Sequence, residues 1–282
     1  MSKPLCFVCN PRKSKMLDSN KLDKLVYQSM MTCSTECETK FGQVSDGGGS
    51  PCCSMSSVIN FNFNCAWTVA KNLKKKFPIQ YFFMIHADVT CQPGAVDIMV
   101  SELKRTGADR IHALMPFKDE RCMSQVALGR EDMPRDRVST GEWIPRRLTM
   151  SECLSLPKTF SAKDTDMPDR VLLADNGLWL CDFTKPWVDQ MNPDDISCKF
   201  HFFTRDGIFL QPDGNYKAEL LGEDYAASYL LHDMGGKSVV TRKVFCQHWD
   251  GENAYPNNEL WGKKMKRDEE FFSGVHPGCT PA

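Results

Sequence analysis

The chain has 282 residues, with 35 Lys and Arg against 36 Asp and Glu for a net charge of -1, and 41% hydrophobic with 25% charged residues is the balance of a globular protein. That neutrality excludes the global basic field of a tight nonspecific nucleic-acid binder, and no apolar run reaches the roughly 18 to 20 residues that span a bilayer. The opening MSKPLCFVCNPRKSK lacks the long apolar segment and cleavage site of a signal peptide, and 14 scattered cysteines without one read as reduced thiols, so a cytoplasmic location is expected.

In chain order, PLCFVCN reads as a first strand and SNKLDKLVYQSM as a helix. Cys6 and Cys9 form a CxxC inside that strand, where alternation sends them to opposite faces, which argues against zinc. Cys33, Cys37, Cys52 and Cys53 match no strong zinc spacing. Residues 45 to 54 are turn-rich, and NFNCAWTVAKNLKKKF is an amphipathic helix. IQYFFMIHADV is a continuous apolar run ended by polar residues, the pattern of a strand buried on both faces. PGAVDIMVSELKRTGAD is a helix stopped by Gly107, and RIHALMPF returns as a strand, giving a crossover unit of a parallel sheet. Residues 118 to 170 are polar with few periodic signals and suggest a long functional loop region. VLLADNGLWLCDF reads as a strand, LGEDYAASYLLHDMGG as a helix with an acidic first turn, and KSVVTRKVFCQH as a last strand before a polar tail. The expected fold is one α/β domain over 1–282 with a mostly parallel central sheet flanked by helices. Its parts are a nucleotide-binding half (1–115), an insertion (116–170), and an acceptor half with the tail (171–282).

In open α/β sheets ligands bind beyond the carboxyl ends of the strands. His86 and Asp88 end one apolar run, Glu223 and Asp224 begin a helix, and His248 ends another strand. Taken singly, Asp88 reads as a turn cap and the acidic pair as a complement to the helix dipole. Local basic clusters at Lys71 with Lys74 to Lys76, at Arg146 with Arg147, and at Lys263 to Arg267 read as solvated faces or phosphate contacts.

In this order the residues resemble the GT-A glycosyltransferases. IHADV looks like the short acidic motif that ends a central strand, whose last carboxylate helps hold Mg²⁺ or Mn²⁺ on a sugar nucleotide; GEDYAASYLLHDMGGKSVV looks like the helix that begins with the base. The resemblance covers roughly residues 4 to 115 and 172 to 250. It implies a GT-A-like, Rossmann-related fold and an inverting hexosyltransferase that uses a nucleotide-sugar donor, a UDP-sugar by preference. It also implies Asp224 as base, and Asp88 and His248 with His86 as metal ligands. Asn10 and Arg12 with His86 and Asp88 would contact the donor, and Asn176, Gly177, Trp179, Glu223 and Trp261 the sugar or acceptor. His86 departs from the acidic residue usual at its position, which favours Mn²⁺ over Mg²⁺ or frees His86 for a phosphate or ribose. FNFNCAWTVAKNL before IHADV, with GEDYAAS and TRKV, is similar to phage-associated glycosyltransferases, some of which modify hydroxymethylated pyrimidines in DNA. The alternatives are transfer to a cytoplasmic or cell-surface saccharide and a binding module that has lost catalysis. A nucleotidyltransferase ranks third because CNPRKSK lacks a glycine-rich phosphate loop.

Overall fold

A strand that is apolar at every position must be covered on both faces, and the apolar runs of this sequence supply several such strands. The computed structural model of the protein describes residues 3–11, 21–41, 58–119, 121, 123–132, 145–210, 213–251 and 253–258. β1 (Leu5–Cys9), α1 (Lys21–Met31), β2 (Glu38–Phe41), α2 (Ile59–Lys74), β3 (Ile79–Ile85), β4 (Val89–Cys91), α3 (Ala95–Thr106) and β5 (Arg110–Ala113) form the first half. β6 (Met123–Gly129), β7 (Arg146–Thr149), α4 (Met150–Ser155), β8 (Thr159–Phe160) and β9 (Val171–Leu173) follow. β10 (Leu178–Asp182), β11 (Arg205–Leu210), β12 (Tyr216–Leu221), α5 (Glu223–Asp233), β13 (Ser238–Thr241), β14 (Cys246–Trp249) and β15 (Ala254–Pro256) complete it.

The protein is a mixed α/β fold around a seven-stranded sheet of order β2-β1-β3-β10-β5-β13-β8. β1 runs parallel to β2 and β3, and β13 parallel to β5, while β10 runs antiparallel to both β3 and β5 and β8 antiparallel to β13. The smaller sheets, β7-β6-β9, β15-β14-β4 and the β11-β12 hairpin, are wholly antiparallel. The expected mostly parallel sheet is therefore corrected to a mixed one. β3 and β5 share a direction as predicted, but β10 lies between them.

Alternation divides the core. Tyr81, Phe83 and Ile85 of β3, with Leu178 and Leu180 of β10, pack under Val96, Met99 and Leu103 of α3. Phe82, Met84, Trp179 and Cys181 face the other side, against Phe63, Ala66, Trp67 and Ala70 of α2 and Ala227 and Leu231 of α5. Cys6 and Cys9 go to opposite faces as their spacing requires, and Cys33 and Cys37 lie in the Cys6 core. Cys52 and Cys53 lie outside the described residues.

Three segments differ from the sequence reading. The described part of residues 118 to 170 carries two strands of a small sheet, the helix α4 and β8, the edge strand of the large sheet. VLLADNGLWLCDF is broken at 174–177 into β9 and β10, so that one run serves two sheets. KSVVTRKVFCQH is broken where Arg242 donates to the Leu154 and Leu156 carbonyls and Lys243 pairs with Glu102 at 2.6 Å. Among the described residues no helix is long and apolar enough to cross a membrane.

Candidate active site

Because β10 runs against its neighbours, its beginning meets the end of β3: Leu178 lies opposite Ile85. The turn before β10, Asp175-Asn176-Gly177, therefore stands beside the turn after β3, His86-Ala87-Asp88, and the His86 N–H donates to the Gly177 carbonyl at 2.8 Å. Asn10, at the end of β1, donates from Nδ2 to the Ile85 carbonyl at 2.6 Å and is fully buried, so it ties β1 to β3 at this edge. Arg12 lies outside the described residues.

Asp88 does not cap the next helix, whose N-cap is Gly94 without a side-chain cap; Asp97 in its first turn accepts instead from the loop after α1, from the Thr35 N–H at 2.8 Å and from Ser34. Asp88 Oδ2 instead lies 3.4 Å from His248 Nε2 and 2.6 Å from Lys118 Nζ. Pairing of β14 with β4 brings His248 here, opposite Val89. His248 Nδ1 is 2.9 Å from the Pro116 carbonyl. That oxygen can only accept, so Nδ1 carries a proton, and Nε2 is the ring atom turned to Asp88. Burial works to raise the Asp88 carboxyl, but His248, His86 and Lys118 outweigh it and hold the group well below the usual carboxylate range.

These residue types can ligate a divalent cation, and a carboxylate oxygen and an imidazole nitrogen 3.4 Å apart are near the roughly 3 Å that separates neighbouring ligands of an ion with bonds of about 2.1 Å. The expected trio is not assembled, because among the described residues no group of three His, Cys, Asp or Glu side chains is arranged to hold a metal. His86 instead leans on Phe63, ring centroids 5.0 Å apart, with a buried Nε2 that has no hydrogen-bond partner.

Asp224 sits in the first turn of α5, above the Asp175 turn. Ser228, one helical turn later, hydrogen-bonds to the Asp224 carbonyl at 2.9 Å and to both backbone groups of Ala174, anchoring that end of the helix. Burial, then the neighbouring Glu223 and Asp175 carboxylates, push the Asp224 carboxyl well above its ordinary range. Asp175 accepts from the Gly177 N–H at 2.5 Å and is raised by burial, against the pull of His86 and His248.

Trp179 does not offer a stacking face to a sugar. It is fully buried beside Phe82, Trp67 and Phe202, and the Arg110 guanidinium lies over its ring at 4.1 Å. Arg110 crosses that ring to donate to Asn176 Oδ1, so Asn176 is buried and engaged from below. Gly177 contributes backbone groups, and a Cβ there would come within 2.8 Å of Asp175 Oδ1. Trp261 and the Lys263 to Arg267 cluster lie outside the described residues.

Sequence reading missed Asp175, Arg110, Lys118 and Gln125. Only topology makes them neighbours, although an aspartate closing the run VLLAD was a visible signal. Gln125 lies 3.2 Å from His248 Nδ1 and its carbonyl accepts from the Tyr225 hydroxyl at 3.3 Å, linking α5 to the His248 side. Among the basic clusters, Lys71 and Lys74 both pair with Asp189, and Arg146 with Glu152 and Asp166. Arg147 differs: it lies over the Phe117 ring at 4.6 Å and toward the Tyr225 ring at 6.0 Å.

No family model matches the chain, and no curated protein matches it. Among solved structures it is similar to "Crystal Structure of A197 from STIV", at 10% identity over 90% of each chain with a TM-score of 0.46, too distant to carry an argument about fold or activity.

Proposed function

We propose that this protein is a GT-A-like, metal-dependent, inverting glycosyltransferase that moves a hexose from a nucleotide-sugar donor to an acceptor hydroxyl. The observation that carries the reading is the Asp88–His248 pair, Oδ2 and Nε2 3.4 Å apart beside the turn after β3, together with Asp224 in the first turn of α5, which Ser228 ties to Ala174. When bound, Mn²⁺ or Mg²⁺ neutralises the charge that gathers on the leaving diphosphate. Asp88 and His248 would hold it, the diphosphate and water completing its shell. Lys118 flanks this position and suits a phosphate oxygen. Asp224 accepts the acceptor's proton. Its raised pKa brings the carboxylate closer to neutrality, where a general base is most effective, and such bases contribute roughly 10²- to 10⁴-fold.

The acceptor is proposed to be a hydroxymethylated pyrimidine in DNA, on the likeness of FNFNCAWTVAKNL and GEDYAAS to phage-associated transferases. The test is turnover of a panel of sugar nucleotides with and without such DNA. Stimulation by DNA supports this acceptor, stimulation by a saccharide supports the alternative, and a chain that binds donor without turnover is an inactive binding module.

A further inference from the structure

The Asp88 oxygen that faces His248 already holds a cation. Lys118 Nζ is 2.6 Å from Asp88 Oδ2, the same oxygen that lies 3.4 Å from His248 Nε2. One carboxylate oxygen cannot keep a close ammonium and also take a divalent ion on the same side, since the two positive charges repel. We propose that Lys118 is the resident counter-ion of Asp88, that it competes with the divalent cation in the donor-free protein, and that it passes to a phosphate of the diphosphate when donor and cation arrive. The inference rests on the transferase reading above.

Two features support an exchange rather than a fixed ion pair. The Lys118 side chain is 35% and the Asp88 side chain 33% exposed, so the pair is about a third open to water and inexpensive to open. Lys118 lies in the segment after β5, two residues past Pro116, whose carbonyl accepts from His248 Nδ1 at 2.9 Å; the lysine can leave Asp88 without releasing His248. The exchange also makes cation binding depend on the donor: Asp88 is most available when a diphosphate is present to draw the ammonium away, and an ion without donor meets a neutralised carboxylate.

The test is titration of the full chain with Mn²⁺ alone, followed by electron paramagnetic resonance of the free ion, for the wild type, Lys118→Met and Asp88→Ala. Methionine keeps the stem and removes the charge. Lys118→Met is expected to bind Mn²⁺ about tenfold more tightly than the wild type, the effect of removing one partly exposed competing charge, and Asp88→Ala to lose that binding. Affinity equal to or weaker than wild type in Lys118→Met, or Mn²⁺ binding by neither, overturns the proposal. Sugar-nucleotide turnover by the wild type with Mn²⁺, measured separately, shows whether the transferase reading survives that outcome.

Discussion

Replacing Arg110 by methionine separates a functional buried charge from a structural one. Arg110 is fully buried on the sheet face beneath α5, and its Nε and Nη1 have no hydrogen-bond partner. Burial lowers its guanidinium from 12.5 to about 10, against the pull of Asp224 and Asp175, so keeping it charged costs the fold about 3 kcal/mol. Against this stand the charged hydrogen bond to Asn176, about 1.5 to 3 kcal/mol, and the contact with the Trp179 ring, about 2 kcal/mol. The sums nearly cancel, so Arg110→Met should change stability by less than about 2 kcal/mol, read from the urea midpoint at constant m-value. Activity responds differently. Arg110 is the cation that favours ionised Asp224, so removing it raises the Asp224 pKa further and moves the acid limb of the pH–rate profile to higher pH. A loss above about 4 kcal/mol with an unmoved pH profile would show that Arg110 is a structural partner and refute this reasoning.

Three further outcomes are expected. Because folding raises the Asp224 pKa, ionisation there destabilises the fold increasingly as pH rises above 3.8; Asp224→Asn should therefore be more stable than wild type at pH 7, show no such gain at pH 3, and lose transfer activity. Equal urea midpoints at pH 7 would contradict it. Gly177→Ala should displace the Asp175 carboxylate, because the new methyl falls 2.8 Å from Oδ1; about 1 to 3 kcal/mol is lost with the 2.5 Å bond from the Gly177 N–H, and thermal melting measures it. Trp67→Ala empties the aromatic core, where Phe82 and Phe183 both lie 4.9 Å from its ring, and should cost about 3 to 5 kcal/mol in chemical denaturation.

The local elements were legible because their signals are local. The stripe Val96, Met99, Leu103 with Gly107 past its end defines α3, and the unbroken run IQYFFMI gives a strand covered on both faces. Register and order were not legible. Nothing in LWLCD tells whether it runs with or against β3, since both arrangements bury the same side chains, yet its antiparallel setting brings Asp175 and Asn176 to the edge with His86 and Asp88. For the same reason Asp88 and His248 were readable as strand ends, whereas Lys118 and Arg110 were not: a lysine in a polar loop and an arginine opening a strand show nothing of their partners until the sheet is closed. For Trp179, core packing was the stronger of the two readings over a sugar contact, and here it lies in the core with Arg110 over its ring.

The most direct measurement is nucleoside diphosphate release from a panel of sugar nucleotides with Mn²⁺ or Mg²⁺, with and without hydroxymethylated DNA, for the wild type, Asp88→Ala and Asp224→Asn. Metal-dependent release by the wild type that is lost in both variants and raised by the DNA is the predicted result. No donor turnover by the wild type with either metal, or release undiminished in Asp88→Ala, contradicts the assignment of this site to metal-dependent glycosyl transfer.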